Sequence, residues 1–467
     1  MRKPEHEFST AALAAVLFDE LRLPSGTRFK LAYSGGLDSH ALLHALAALR
    51  SQYSFSLNAI YIDHGVQASA AAWSEHCARH CAELGVAFVS GRIKVTGMDE
   101  HGFEAAARHA RYAALLAALS PGEILLTAHH RNDQAETVLL QLLRGAGMAG
   151  LAAMPQRMPF GVGELLRPLL GFTRAALHVY ATEQRLHWIE DPSNRELRLR
   201  RNFLRAEILP RLATLWPEVD GMLARTARHA AETLELLDET AAHDLFRCRQ
   251  AAQYCPQALS ITAVNRLSPA HQRNLLSYWL RQQGLRVPGT RTLNEVLTQL
   301  RHTPRSQHTC IRWPDAQIWR YRDRLVAVPN QAEPDTQLDV MWNLRTPLEL
   351  PGVGRLRAQP VLGRGLATAR LPNGLQVRLR RGGERLLLPG HRHHHVLKKL
   401  LQAEGLSPWL RARLPLLYVQ ENLAAVADRW VCAPYAAQAG EEGLEIVWEP
   451  MAWILSELGK PAKKFRM

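Results

Sequence analysis

The densest chemistry in this chain lies at residues 34–39, Ser-Gly-Gly-Leu-Asp-Ser. The apolar run Arg28 to Tyr33 leads into it, and a helix-patterned stretch, Leu37 to Leu49, follows. The six residues therefore form a strand-to-helix turn. Gly35 and Gly36 let the backbone approach an anion closely. The amides of Gly35, Gly36, Leu37, Asp38 and Ser39, with the helix dipole behind them, favour phosphate. Ser34 and Ser39 add hydroxyl groups. Asp38 sits oddly beside phosphate unless a cation separates them, and magnesium (Mg2+) is the natural one. A tight turn with an N-cap favours the same residue types. The complete hexapeptide between strand and helix turns the balance toward phosphate. No lysine follows, so this is not the nucleoside-triphosphate motif G-x-x-x-x-G-K-[ST].

Further constellations surround that loop in sequence. Asp133 and Glu136 are three apart on a helix-patterned stretch behind His129 and His130. Two carboxylates on one face suit an ammonium group, but the same spacing at a helix start is a capping box. Arg108 and Arg111 share another helix face. Asp63 and His64 end an apolar run in Tyr-Ile-Asp-His-Gly. Asp191-Pro-Ser-Asn194 has turn composition, and Arg201 and Arg205 follow it. His391 to His395, HRHHH, lacks a carboxylate set and reads as an exposed basic patch. Cys77 and Cys81, four apart, read as packing residues, and the six cysteines complete no metal pattern.

These residues need a scaffold, and the first 200 residues supply one. Short apolar runs alternate with amphipathic stretches: strands at 57–62, 87–93 and 123–128, and helices at 70–84, 103–119, 133–143 and 173–186. That alternation predicts an α/β fold with a parallel sheet and ligands at the carboxyl ends of its strands. Near Trp216-Pro217 the pattern becomes mainly helical. Two short strands are expected over Ile311 to Val328, and PNQAEPDTQ reads as a linker. Short glycine-punctuated strands, a helix at 396–405 and a hairpin at 416–427 complete a small α+β segment. The expected domains are 1–217, 218–335 and 336–467.

The net charge of +14 is carried mostly by arginine. Guanidinium groups fork onto phosphate oxygens, which fits a nucleic-acid partner; arginine-rich codon usage fits equally. The start has no signal-peptide core, and no apolar run reaches the roughly 18 residues of a membrane helix. A cytosolic, reducing (cytoplasmic) setting and no membrane partner are expected. The sequence leaves oligomeric state open, with a homodimer among the options.

SGGLDS resembles the signature of the PP-loop ATP pyrophosphatases, which hold the pyrophosphate part of ATP and break its α–β bond. The other constellations, with Gly382-Gly-Glu-Arg385, Lys398-Lys399 and Pro408-Trp-Leu-Arg411, resemble the tRNA(Ile)-lysidine synthetase family in order and over most of the chain. This resemblance implies ATP and Mg2+ at Ser34–Ser39, with Asp38 as metal ligand and catalytic group. It implies Asp63 and His64 beside the adenosine, and Arg111 on the nucleotide or its transferred phosphate. Free L-lysine would meet Asp133, Glu136 and Asn194, and Asp133 would be the proton acceptor. Arg201, Arg205, Arg385, Lys398 and Lys399 would face tRNA(Ile) with its CAU anticodon. The family usually carries a second aspartate where this chain has Asn132. A PP-loop thiolase making 2-thiocytidine is the nearest alternative, but it needs cysteine pairs absent here. A non-catalytic RNA-binding protein is the other, and the intact SGGLDS argues against it.

Overall fold

The computed structural model describes residues 7–63, 70–93, 103–192, 196–249, 258–302, 309–330, 334–371 and 374–451. Two compact units divide the chain, Met1–Leu236 and Leu237–Met467. The border falls within a single helix, Val219–Cys248.

The first unit is built on six strands: β1 Thr27–Ala32, β2 Phe55–Asp63, β3 Ala87–Arg92, β4 Glu123–Leu126, β5 Arg157–Phe160 and β6 Gly163–Leu166. Their order is β3-β2-β1-β4-β6-β5. All neighbours are parallel except β5 and β6. β4 is buried at every residue, as Glu-Ile-Leu-Leu between two helical layers must be. Its one polar residue, Glu123, pairs with Lys30 of β1 at 2.7 Å. Phe29, Leu31, Leu42, Leu46, Leu126 and Leu177 share one core, which binds the helices Leu37–Leu49 and Arg174–Glu183 to the sheet. The chain leaves β1 toward β2 on one side, while β4 lies on the other. The order therefore reverses between β1 and β4, and a crevice opens at their carboxyl ends.

The second unit holds two structural groups. β7 Leu259–Ser260, β8 Thr309–Trp313, β9 Ala316–Tyr321 and β10 Arg324–Pro329 form an antiparallel sheet in the order β7-β10-β9-β8. The helices Pro269–Gln282 and Thr290–His302 bury Leu276, Trp279, Val296 and Leu300 in a core shared with Ile311 and Ile318. Thus the 311–328 region carries three strands where two were expected, because Pro314-Asp315 and Arg322-Asp323 each provide a tight turn.

Beyond residue 334 lie β11 Asp339–Trp342, β12 Leu348–Leu350, β13 Gly354–Leu362, β14 Leu366–Ala367, β15 Leu375–Arg378, β16 Arg385–Leu386, β17 His395–Val396, β18 Leu416–Val419, β19 Asn422–Val426, β20 Trp430–Val431 and β21 Glu442–Pro450. They form sheets β11-β15-β18-β19-β20 and β12-β13-β21-β14, plus the pair β16-β17. The helix Leu397–Ala403 buries Leu397 and Leu401 in their common core.

Candidate functional site

The turn after β1 is held by its own side chains. Ser39 Oγ accepts from the Ser34 amide at 3.2 Å, lies 3.1 Å from Ser34 Oγ and donates to the Gly36 carbonyl at 3.1 Å. Gly35 has φ +77°, and a Cβ there would meet Ile189 at 2.8 Å and Cys77 at 2.9 Å. Only glycine fits on both counts. Gly36 is the N-cap of Leu37–Leu49 and offers no side-chain cap. The first intrahelical bond is His40 N to Gly36 O at 2.9 Å, so the amides of Gly36 to Ser39 precede the helical ladder. Asp38 stands in that first turn. Its Oδ1 is buried without a hydrogen-bond partner among the described residues. Arg174 Nε lies 3.8 Å from Oδ1, and His130 Nε2 lies 3.7 Å from Oδ2.

This turn forms one wall of a cavity of about 640 Å³. Tyr61 and Ile62 of β2, Trp73, Arg111, Tyr112, His129, Trp188 and Arg205 line the rest. Burial, with Arg108 and Arg201 nearby, holds the Arg111 guanidinium below its ordinary value. Arg108 lies over the Tyr112 ring at 5.1 Å and is absent from the cavity wall. His129 bonds Thr127 Oγ1 at 2.9 Å, and burial keeps its imidazole well below the usual value. Asp63 is turned toward Arg92, 3.3 Å away. His64 and Asn194 lie outside the described residues.

The helix Arg131–Leu143 begins two residues before the expected Asp133, and its capping box is His130 with Asp133. His130 Nδ1 accepts from the Asp133 amide at 3.3 Å, and Asp133 Oδ2 accepts from the His130 amide at 3.0 Å. A histidine acting as acceptor shifts the box one turn earlier than Asp133-x-x-Glu136. Glu136 is then free of capping and fully buried. It accepts from Arg201 Nε at 2.7 Å and from Arg205 Nε at 2.6 Å. Arg205 also reaches Asp133 Oδ1 at 3.1 Å. A π-helical turn, Leu204–Ile208, follows the helix Arg200–Phe203 and carries Arg205; such turns often occur at functional sites. Burial works against the charge on Arg205, but Glu136 outweighs it and raises the guanidinium value. Burial likewise opposes the Asp133 carboxylate, yet His130 and Arg201 hold it below the ordinary value. The structure thus joins Asp133, Glu136, Arg201 and Arg205 into one ion cluster.

Sequence reasoning passed over Arg174, Trp73, Trp188 and Asp220. Trp73 and Trp188 carried an aromatic signal beside the motifs. Arg174 and Asp220 looked like ordinary polar residues of a first helical turn.

In the second unit, Arg385 pairs in register with Val396, next to the helix bearing Lys398 and Lys399. Glu384 accepts from the amides of Arg381 and Gly382 and so fastens the preceding turn. Among the described residues no carboxylate pairs with Arg381, Arg385, Arg392, Lys398 or Lys399. Arg378, by contrast, pairs with Asp339 at 3.0 Å and Glu421 at 2.8 Å.

Comparison with known proteins covers most of the chain. The PP-loop domain family matches residues 9–212. Residues 259–326 match the TilS substrate binding domain, and residues 375–448 the TilS substrate C-terminal domain. The tRNA(Ile)-lysidine synthase of Methylococcus capsulatus is 43% identical over 430 residues, 92% of this chain and 98% of that one. The same-named protein of Coxiella burnetii is 38% identical over 92% of this chain and 94% of its own. That of Alkalilimnicola ehrlichii is 41% identical over 94% and 97%.

Proposed function

This chain belongs to the tRNA(Ile)-lysidine synthase family, and on that footing we propose that it joins L-lysine to the 2-carbon of the wobble cytidine in the CAU anticodon of tRNA(Ile). The observation that carries the reading is the glycine turn at Ser34–Ser39, which sets the first-turn amides and the Asp38 carboxylate on the wall of a cavity large enough for a nucleotide.

In the first step the cytidine 2-oxygen attacks the α-phosphorus of ATP. The α–β bond breaks, pyrophosphate leaves, and the base carries AMP on its oxygen. The amides of Gly36 to Ser39 hold the departing phosphates, and Arg111 balances charge on the α-phosphate. Asp38 is the residue that fits Mg2+, since its buried Oδ1 accepts no hydrogen bond among the described residues and meets only the distant charge of Arg174. The described residues contain no group of three or more His, Cys, Asp or Glu able to hold a metal, which suits an ion ligated mainly by phosphates and water. Bound there, Mg2+ would neutralise the pyrophosphate leaving group. In the second step the ε-amine of lysine attacks the 2-carbon, the carbon–oxygen bond to AMP breaks, and the nitrogen loses a proton. We assign Asp133 as proton acceptor: its carboxylate is charged, although the His130 and Arg201 that hold it so also weaken it as a base. Asp63 and His64 serve the adenosine side. Glu136 and Asn194 complete the lysine set, with Glu136 acting through Arg201 and Arg205. These two arginines also form the side of the site that receives the anticodon.

Residues 1–217 thus carry the chemistry, and 218–335 and 336–467 bind tRNA, with Arg385, Lys398 and Lys399 on its phosphates. We place its work in the cytoplasm, where its tRNA substrate is. Separately, no described helix is long and apolar enough to cross a membrane. Sulfur transfer is not favoured, because burial pushes the Cys77 and Cys81 thiols up to about 12 and about 11. Incubating the protein with bulk tRNA, ATP and radiolabelled lysine tests the whole reading. Label is expected in acid-precipitable tRNA; its absence when ATP is being split to pyrophosphate would overturn it.

A further inference from the structure

The HRHHH run, His391 to His395, is the sequence feature that the ligase chemistry leaves unused. Residues 387–394 join β16 to β17, and His391 and His395 stand on either side of the bend at 392–393. The His391 amide donates to the Leu388 carbonyl at 3.0 Å, and His395 is held in the ladder opposite Leu386. Their rings meet edge to face at 4.7 Å, with His395 Nε2 3.0 Å from His391 Nδ1. A hydrogen bond between two imidazoles needs one donor and one acceptor, and the neutral pair supplies both. One added proton makes an imidazolium–imidazole bond, which is charge-assisted and stronger. A second proton would set donor against donor and break it. The pair is therefore built to take one proton as a unit.

The charged groups around the pair are mostly positive. Arg385 lies in register with Val396, one position from His395. Lys398 and Lys399 stand in the first turn of the helix after β17, and Arg392, His393 and His394 are the exposed bend itself. Glu384, just before β16, is turned to Arg380 and to the amides of Arg381 and Gly382. Glu404, just after the helix, pairs with Arg429 at 2.7 Å. The turn Ala433–Tyr435, joined to Leu387 through the Ala433 amide, brings one titratable group, the Tyr435 phenol. Among the described residues no carboxylate is left to pair with a proton added at His391 or His395.

Resting on the reading that residues 336–467 bind tRNA phosphates, we propose that the His391–His395 pair is a proton-linked phosphate contact, taking up one proton as tRNA docks and so tightening the complex as pH falls. The proton comes from water onto a ring nitrogen, and no other bond changes. A phosphate laid over this face supplies the anion that the protein lacks there. Linkage fixes the sign: if phosphate favours the charged pair, protons favour the tRNA complex by the same factor. The gain appears as pH falls and is lost as pH rises past the point where the complex gives up its proton. Imidazole is the side chain that changes charge between about pH 5 and 8, whereas arginine and lysine hold theirs throughout. The face thus combines a constant attraction with one set by acidity.

The test is the affinity of the full chain for bulk tRNA from about pH 8 to about pH 6 at fixed salt, one proton being limited to about tenfold per pH unit. The unsubstituted chain should gain on the order of three- to tenfold over that range. His391→Gln combined with His395→Gln should remove most of the gain. Calorimetric titration in two buffers of different ionisation enthalpy should find about one proton fewer taken up per tRNA by that double variant. His393→Gln with His394→Gln alters the same bend without touching the bonded pair, and should keep both the gain and the proton. No gain in the unsubstituted chain, an equal gain in all three chains, or a loss as large in the 393/394 variant would overturn the proposal. So would an affinity that weakens as pH falls, the sign expected of a divalent metal held by the pair and displaced by protons. Should Arg385, Lys398 and Lys399 be replaced together without loss of tRNA affinity, the parent reading would fail. Weaker binding by that triple variant, with the pH gain intact in the 391/395 variant, would sink the histidine pair alone.

Discussion

In the first unit Arg201 and Arg205 are committed to Glu136 and Asp133, while in the second Arg385, Lys398 and Lys399 face outward with no carboxylate partner among the described residues. Both groups count equally toward the net charge of +14. Their physics differs. A buried ion cluster is one unit, in which each member sets the cost of losing another. Exposed cations act nearly independently and are screened by salt. Arginine content therefore reports two separate properties, the rigidity of a site and its attraction for phosphate.

Four experiments press on that contrast. Glu136→Gln should have the largest effect, because it leaves two guanidinium groups without their shared anion. A loss of about 3–5 kcal/mol is expected for breaking a buried pair, read as an earlier urea midpoint. An unchanged midpoint would mean that the arginines simply swing into water, and the contrast with the second unit would dissolve. Asp38→Asn comes next. Pyrophosphate release should fall on the order of 10²–10³-fold while the melting temperature holds, since Oδ1 makes no protein hydrogen bond. Near-normal turnover in Mg2+ would reduce Asp38 to a helix-start acid.

Replacing Arg385, Lys398 and Lys399 with alanine should act in graded fashion. The dependence of log affinity for tRNA on log salt should shallow by about 0.9 for each phosphate contact removed. A triple variant that binds as before, with the same slope, would move the tRNA surface elsewhere. The last effect concerns pH and is nil near neutrality. His40 is buried against His76 and His80 and bonds Tyr33 at 2.6 Å. Burial, then His80, His76, His44 and His187, hold its imidazole down to about 4, and burial also lowers His44 and His76. The unfolded chain takes up those protons first. Stability of the first unit is therefore full above about pH 6.5 and falls toward pH 4, by up to about 1.4 kcal/mol per unit for each proton. Flat stability between pH 6.5 and 4.5 would show that the histidines escape to solvent.

How much of this was legible beforehand depended on the range of the signal. The helix Leu37–Leu49 was readable to the residue, because Gly36 and the apolar spacing are local. β1 to β4 were each placed within about two residues. The antiparallel edge strand β5, Arg-Met-Pro-Phe, carries no alternation and takes its structure from pairing with β6. The capping box was misplaced by one turn because a histidine nitrogen accepts there in place of a carboxylate oxygen. Asp220 was invisible for a different reason. An acid in the first turn of a helix is the commonest of patterns, and only folding brings it to Asn132, 88 residues earlier. The ion cluster has the same character: Arg201 and Glu136 are 65 residues apart, and nothing local marks them as partners.

The ladder between β13 and β21 governs how the molecule is made. It runs the full length of both strands, from Gly354 opposite Pro450 to Leu362 opposite Glu442. On the ribosome β13 is finished about eighty residues before its partner begins. Its edge must wait in solution through that interval, a template for any other strand it meets. The first unit has a comparable wait, since β1 is finished about ninety residues before its partner β4 begins, but that sheet is complete by Leu166 and closes early in synthesis. A nonsense or frameshift mutation near residue 440 would therefore leave a finished catalytic sheet tethered to an open edge, and aggregation of the truncated chain, more than slow chemistry, would decide its fate in the cell.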